Sequence, residues 1–357
     1  MGTIRPCLEH DLRQVGDLYL RVLSHERRLV SLEQATSYFT KLLFQSPWHD
    51  ESMPSLVYDL DSRIVGFVGR VPRFMLLNGR RVQVSVICHL MVDPGARSTF
   101  AGISLLRKAL LGSQDLSVCE GNDLSKRVWE GVGGTTSQLA SLNWMRVLRP
   151  AGYTVLQLTK MGLPRALKYT LQLLSRPIDS FVTSLKKIRL YVPLQASEEE
   201  LTDDTLLRCL LELPAQDKLR PEYDQGSLRW LLDFLGEKKG RGTLRKTVVR
   251  DANKAIIGWY LYYVAPGEIS TVAQIGARPG SYGKVFAHMF YHAWRRGAVA
   301  ITGRVEARFF EEIPSGMCIF GRGSWMQIHS KCPDLIEAIE DKQAFFTPLE
   351  GEWWMFP

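Results

Sequence analysis

Two hydrophobic periods alternate along the first 150 residues. An extended run, Thr3–Arg5, stops at Pro6, and from Glu9 to Leu23 apolar side chains recur at Leu12, Val15, Leu18, Tyr19 and Val22, the spacing of one helix face. A second helix is predicted over Leu32–Phe44, closed by Ser46-Pro47. Strand-like runs follow: Ser55–Asp59 and Arg63–Arg70 joined through Asp59-Leu60-Asp61-Ser62, then a hairpin of Phe74–Leu77 and Arg80–Val84 about Asn78-Gly79. Val86–Val92 is a short apolar strand, broken by Asp93-Pro94-Gly95. A turn of mostly small residues leads from Arg97 to Gly102 into a helix over Ile103–Leu111. A strand at Asp115–Cys119, a helix at Leu124–Val132 ended by Gly133-Gly134, and a strand at Leu142–Leu148 complete this half.

The later residues repeat that order of elements. After a connector with helical periods over Leu163–Leu174 and Ile178–Ile188, and an acidic run at Glu198–Asp204, helices are predicted at Leu206–Leu213 and Ser227–Leu235. Strands follow at Arg245–Arg250, Ile256–Val264 and Ile269–Ile275, then a glycine-containing turn, a helix over Val285–Arg296 and a strand at Ala298–Arg304. The basic residues of the 178–188 piece suit either a membrane-surface helix or an interdomain helix pair. The closing run, Phe345-Phe346 through Trp353-Trp354-Met355-Phe356, is too aromatic for a loose tail and reads as a packed last strand; stacking on a sugar or a base is the other use of such residues.

The strand, turn and helix between Val86 and Leu111 carry the candidate chemistry. A helix start leaves backbone N–H groups without partners and holds the positive end of the helix dipole. Small residues there, Ser98, Thr99, Ala101 and Gly102, let a phosphate approach those amides, and Arg97 adds a forked cation. An ordinary strand-to-helix connection is the alternative reading.

Val92, Pro94, Arg97 and Gly102, followed by Ile103, Leu105 and Leu106, resemble the pyrophosphate-binding motif of the GCN5-related N-acetyltransferases (GNAT fold), with Phe100 where the family carries its middle glycine. The order of elements to about residue 150 is also the family's. The resemblance implies a mixed α/β sheet flanked by helices, with its two central parallel strands, Val86–Val92 and Asp115–Cys119, splayed apart. It further implies acyl-CoA, most simply acetyl-CoA, as co-substrate: pyrophosphate on Arg97, Ser98, Thr99, Phe100, Ala101, Gly102 and Ile103, and the pantetheine arm paired with Leu90, Met91 and Val92. A backbone N–H near Met91 would hold the thioester oxygen, and Asn122 matches a position that contacts the cofactor arm; it is equally suited to cap a helix.

N-acylation by direct attack needs a base, because free amines are mostly protonated at neutral pH. His89 and Glu120 are the candidates, against readings as a structural histidine and a capping carboxylate. Strict alternation puts His89 and Met91 on one face of their strand and Cys88 and Leu90 on the other. The helix after Asn122 offers Trp129 and no tyrosine to protonate a departing thiolate.

With 357 residues, two domains are expected: an acyl-CoA-binding domain over 1–152, a helical connector over 153–200, and a second, diverged GNAT-like domain over 201–357 shaping the acceptor site. Glu306, Arg308, Tyr223 and Asp224 are the polar groups expected to face such a cleft. Gly280, Gly283 and Lys284 at the second helix start suit either an anion site or a plain turn.

A formal charge of +8 favours anionic partners, while 45% hydrophobic and 23% charged residues describe a globular chain with ample core. Six scattered cysteines without a CxxC pair point to reduced thiols and a cytoplasmic location; Cys318, His329 and Cys332 lack the spacing of a zinc site, and no metal is expected. No apolar run is long enough to span a bilayer, and dispersed basic residues argue against nucleic acid. The function expected is transfer of an acyl group to a small-molecule amine, such as an amino sugar on a nucleotide or lipid carrier. The alternative is a non-catalytic acyl-CoA-sensing or interaction module.

Overall fold

The computed structural model describes residues 2–23, 31–162, 197–213, 217–314 and 318–356, with scattered positions between 164 and 179. In chain order the elements begin with β1 (Thr3–Pro6), α1 (Leu12–Val22), α2 (Leu32–Leu43), β2 (Leu56–Leu60), β3 (Arg63–Leu77), β4 (Arg80–Val92), α3 (Ala101–Leu110) and β5 (Leu116–Gly121). Next come α4 (Asp123–Gly131), β6 (Thr135–Ser137), β7 (Leu142–Val147), α5 (Pro150–Lys160), β8 (Ser197–Glu200), α6 (Asp203–Glu212), β9 (Leu219–Pro221) and α7 (Gln225–Gly236). The last are β10 (Thr243–Arg250), β11 (Ile256–Val264), β12 (Ile269–Ala277), α8 (Tyr282–Arg295), β13 (Ala300–Arg304), β14 (Ile319–Arg322), β15 (Trp325–Ser330) and α9 (Pro333–Glu340).

Two mixed sheets result. The first runs β1-β2-β3-β4-β5-β15-β6, with β9 also paired to β3; the second runs β14-β7-β13-β12-β11-β10-β8. Contacts divide the chain into a unit of Met1–Ser141, Asp217–Leu232 and Ser324–Pro357 and a unit of Leu142–Gln216 and Asp233–Gly323.

These boundaries differ from 152/153 and 200/201, and two strands account for much of the difference. β7 pairs antiparallel with β13 and β14 in the second sheet. Its fully buried Trp144 donates to the Arg304 carbonyl at 3.1 Å and packs on Phe286 and Phe290 of α8. In the first sheet the place beside β5 is taken by β15, which pairs with both β5 and β6. The predicted helices over 163–174 and 178–188 lie largely outside the described residues.

Within the first unit, β3 is one strand of 15 residues where the sequence suggests two pieces interrupted around Pro72. The proline is tolerated because it falls between the stretch paired to β2, which ends at Val68, and the stretch paired to β9, which begins at Met75. Helix α3 buries Leu105, Leu106, Ala109 and Leu110 against Val68 and Ile87. It approaches closely because β3 carries Gly66 beneath it: a Cβ there would meet Leu105 Cδ1 at 2.9 Å.

The ladder between β3 and β4 slips between Phe67 and Gly69, so that His89 and Leu90 together oppose Val68, and His89 adopts φ 50°. This is a β-bulge, and it breaks the expected alternation: Ile87 and Leu90, three residues apart, both pack on the α3 cluster. Gly69 makes room for it, since a Cβ there would lie 2.6 Å from Cys88 Sγ and 3.0 Å from the Cys88 carbonyl oxygen. Gly69→Ala is expected to cost about 1–3 kcal/mol by overpacking, seen as a lower urea midpoint with an unchanged slope.

Candidate functional site

Strands β4 and β5 run parallel but pair only at Val84–Leu116, Ser85–Ser117 and Val86–Val118. Beyond those pairs the bulge turns β4 aside. The side chain of Glu352 stands between the two backbones: Oε1 accepts the His89 N–H at 3.2 Å, and Oε2 accepts the Glu120 N–H at 2.9 Å and the Cys119 thiol at 3.3 Å. A ladder would hold these backbones about 4.8 Å apart; a whole carboxylate fits here instead, so the two strands part as the sequence resemblance implies.

Burial pushes the Glu352 carboxyl up to about 8, and the nearby Glu120 carboxylate adds to the effect while the three donors oppose it. Burial, reinforced by Glu352, also raises the Cys119 thiol well above its ordinary value, which keeps its S–H available to the carboxylate.

At the far end of β4 lies the predicted anion cradle. Asp93 accepts the Gly95 N–H and pairs with Arg21 and Arg63; the Gly95 amide and Arg21 hold its carboxyl below the usual range. A 3-10 turn over Pro94–Thr99 follows, and then Phe100 at φ 56°, 69% exposed, before α3 begins. Phe100 therefore holds the left-handed conformation that glycine adopts most easily. Among the described residues no side chain caps α3, and the amides of its first turn, Ala101, Gly102 and Ile103, have no partner within the helix. Gly102 lets this turn sit against β4: a Cβ there would meet Val92 Cγ2 at 3.1 Å. A backbone of this kind suits a phosphate. Arg97, Ser98 and Thr99 belong to the turn, and their side chains lie outside the described residues.

The predicted base candidates fall on either side of the opening. His89 is buried among the rings of Tyr19, Tyr38, Phe39 and Phe356, with Nε2 3.3 Å from the Tyr38 hydroxyl. Glu120 is half-buried and accepts the Trp353 N–H at 3.3 Å. Asn122 accepts the N–H groups of Leu124 and Ser125, each at 3.0 Å, and so caps α4. Met91 pairs with Phe67 of β3 beside the bulge.

Glu352 itself was not among the candidates read from the sequence. The signal available was two carboxylates, Glu350 and Glu352, inside an aromatic run whose packing must bury them. That run is packed as expected, yet it forms no strand: Trp353–Met355 is a 3-10 turn, with Trp354 fully buried.

Other expected site groups are structural. Tyr223 is buried and donates to Glu350 at 2.7 Å, and Asp224 accepts the Ser227 N–H at the start of α7. In the second unit Glu306 and Arg308 form a buried ion pair, with Arg308 also donating to the Tyr282 hydroxyl and the Ile275 carbonyl. Glu312 accepts the Gly283 N–H at the start of α8, so the protein's own anion already meets that helix end. Among the described residues no group of His, Cys, Asp and Glu could hold a metal ion, and no helix is long and apolar enough to cross a membrane.

No protein-family profile and no curated sequence matches the chain. Solved structures do. A conserved protein of unknown function from Enterococcus faecalis, called a probable N-acyltransferase, superposes with a TM-score of 0.61 at 11% identity, over 95% of this chain and 73% of its own. A GCN5-related N-acetyltransferase from Anabaena variabilis gives 0.60 at 12% identity, over 92% and 72%. N-myristoyltransferase from Saccharomyces cerevisiae, with bound myristoyl-CoA, gives 0.52 at 12% identity, over 92% and 77%. The chain has the fold of the GCN5-related N-acetyltransferases.

The Glu352 carboxyl holds its proton to about pH 8 when folded and loses it near the ordinary 4.5 when unfolded. The folded chain binds the extra proton between these values, so this group's contribution is full below about 4.5 and is lost as pH rises toward about 8. Glu352→Gln cannot ionise. It is expected to flatten that stretch of the stability curve, by at most about 1.4 kcal/mol per pH unit, in urea midpoints taken between about pH 5 and about pH 8.

Proposed function

We propose that the chain is an acyl-CoA-dependent N-acyltransferase that moves an acyl group from the CoA thioester to a primary amine in a ternary complex. The observation that carries this reading is the pairing of two features on one strand: β4 parts from β5 at its bulge, and beyond its end comes a helix start whose first-turn amides no side chain among the described residues caps. A linear ligand with a diphosphate at one end and an extended amide-bearing arm at the other fits both, the diphosphate on Ala101–Ile103 with Arg97, the arm along Leu90–Val92.

Acetyl-CoA is the simplest donor, and the likeness to an N-myristoyltransferase with bound myristoyl-CoA makes a long acyl chain the next to try. For the acceptor, a small amine such as an amino sugar on a nucleotide or lipid carrier suits the basic chain. The second unit holds no CoA in this reading, because Glu312 already meets the start of α8. Sensing of acyl-CoA without turnover is the second reading; it draws on Phe100 in the turn and on α4, which carries Trp129, fully buried, and no tyrosine.

Thermal melting with acetyl-CoA and with myristoyl-CoA is expected to show an upward shift for the wild type, since a ligand of the native state stabilises it. Arg97→Glu is expected to remove the shift. An unchanged shift in that variant puts the cofactor elsewhere. Thiol release with glycinamide, glucosamine and butylamine then separates transfer from sensing.

A further inference from the structure

Resting on the transferase reading, we propose that Glu352, and neither His89 nor Glu120, is the catalytic base: its carboxylate at the floor of the β4–β5 opening takes the proton that the attacking amine must lose.

Position comes first. Glu352 meets β4 three residues after the last β4–β5 pair and β5 two residues after it. An arm that starts at the α3 amides and follows Val92, Met91 and Leu90 arrives next at His89, whose N–H the carboxylate accepts. The acyl end of such an arm reaches Glu352.

Chemistry comes second. Oε2 is engaged twice, by Glu120 N–H and Cys119 S–H, but Oε1 accepts only the His89 N–H among the described residues, which leaves it one lone pair for a proton. Buried in this way, with a carboxyl raised to about 8, it is a stronger base than an exposed glutamate. The titratable groups facing it are Cys88 and His89 on β4 and Cys119 and Glu120 on β5.

The competing candidates are placed differently. The ring of His89 is packed among four aromatic rings. The side chain of Glu120 is half-buried and turned to the Trp353 N–H.

The step balances. The acceptor's ammonium gives one proton to Glu352, directly or through one water, and Glu352 passes it on to solvent. The freed lone pair attacks the thioester carbonyl carbon, the C–N bond forms and the C–S bond breaks. The departing CoA thiolate takes the second proton from nitrogen, directly or through water, so amide and free CoA thiol are the products.

The test uses full-length protein with acetyl-CoA, glycinamide, glucosamine and butylamine, and with hydroxylamine as a nucleophile already unprotonated at neutral pH. Glu352→Gln is expected to lower kcat with the alkylamines by about 100-fold or more, the range a general base supplies. Transfer to hydroxylamine and the acetyl-CoA melting shift are expected to change little. Wild-type kcat is expected to rise with pH and level off near 8, and Glu352→Gln to lose that inflection.

Alkylamine turnover in Glu352→Gln within about threefold of wild type, or a rise in it, overturns the proposal, the rise marking the carboxylate as a plug. Loss of kcat in His89→Ala or Glu120→Gln equal to that in Glu352→Gln, with the inflection kept in the latter, overturns it as well. If neither acyl-CoA shifts the wild-type melt, the transferase reading fails first. Should the variant not fold, or no amine be a substrate, pH-difference infrared spectroscopy of the wild type decides. A buried protonated carboxyl that titrates near 8 supports the assignment, and a carboxyl ionised throughout the neutral range refutes it.

Discussion

Two backbone amides that lost their strand partners set the terms for the first unit. When a bulge turns one parallel strand from the next, each exposes N–H groups that no water can reach if the sheet is buried, and a buried unpaired amide is costly. The chain meets this with a carboxylate from a segment 263 residues from His89 in sequence. One side chain spans the opening, ties both strands to the chain's last residues, and pays for its desolvation by binding its proton more tightly.

The segment that delivers it is held along its length. Arg73, buried and stacked over Trp48 at 3.9 Å, donates to the Leu349 carbonyl at 3.2 Å. Glu350 accepts from Tyr223 and from Thr347, and Trp354 packs edge-on with Trp48 and Trp230. With fixed neighbours on both sides, Glu352 has little freedom to leave the strands. A carboxylate meant to accept a proton at one point in space is best supported by rigid surroundings.

Much of this was legible in the sequence. The strand, turn and helix from Val86 to Leu111 follow from a β-branched run, a Pro-Gly break and a helical period, and Asn122 caps a helix as its type suggests. Phe100 was visible as a departure from a motif, and the structure shows that the backbone keeps the left-handed turn without the glycine. Periodicity records which face of a strand is apolar and not which neighbour it pairs with; β7 therefore reads as the end of the first half although its Trp144 belongs under α8. The bulge at His89 is equally silent, since one inserted residue in a strand buried on both faces disturbs no pattern. Glu352 was hidden by distance in sequence: its partners lie on β4 and β5, and local spacing carries nothing about them.

The exchange of β7 for β15 also sets an order on biosynthesis. Residues 324–357 leave the ribosome well after β4 and β5, so β5 waits with one edge bare and the opening beside β4 waits without its carboxylate until they emerge. Early residues of the first unit can collapse while the rest is still being translated, but their sheet closes late. During that interval the bare edge of β5 needs shielding from other strands.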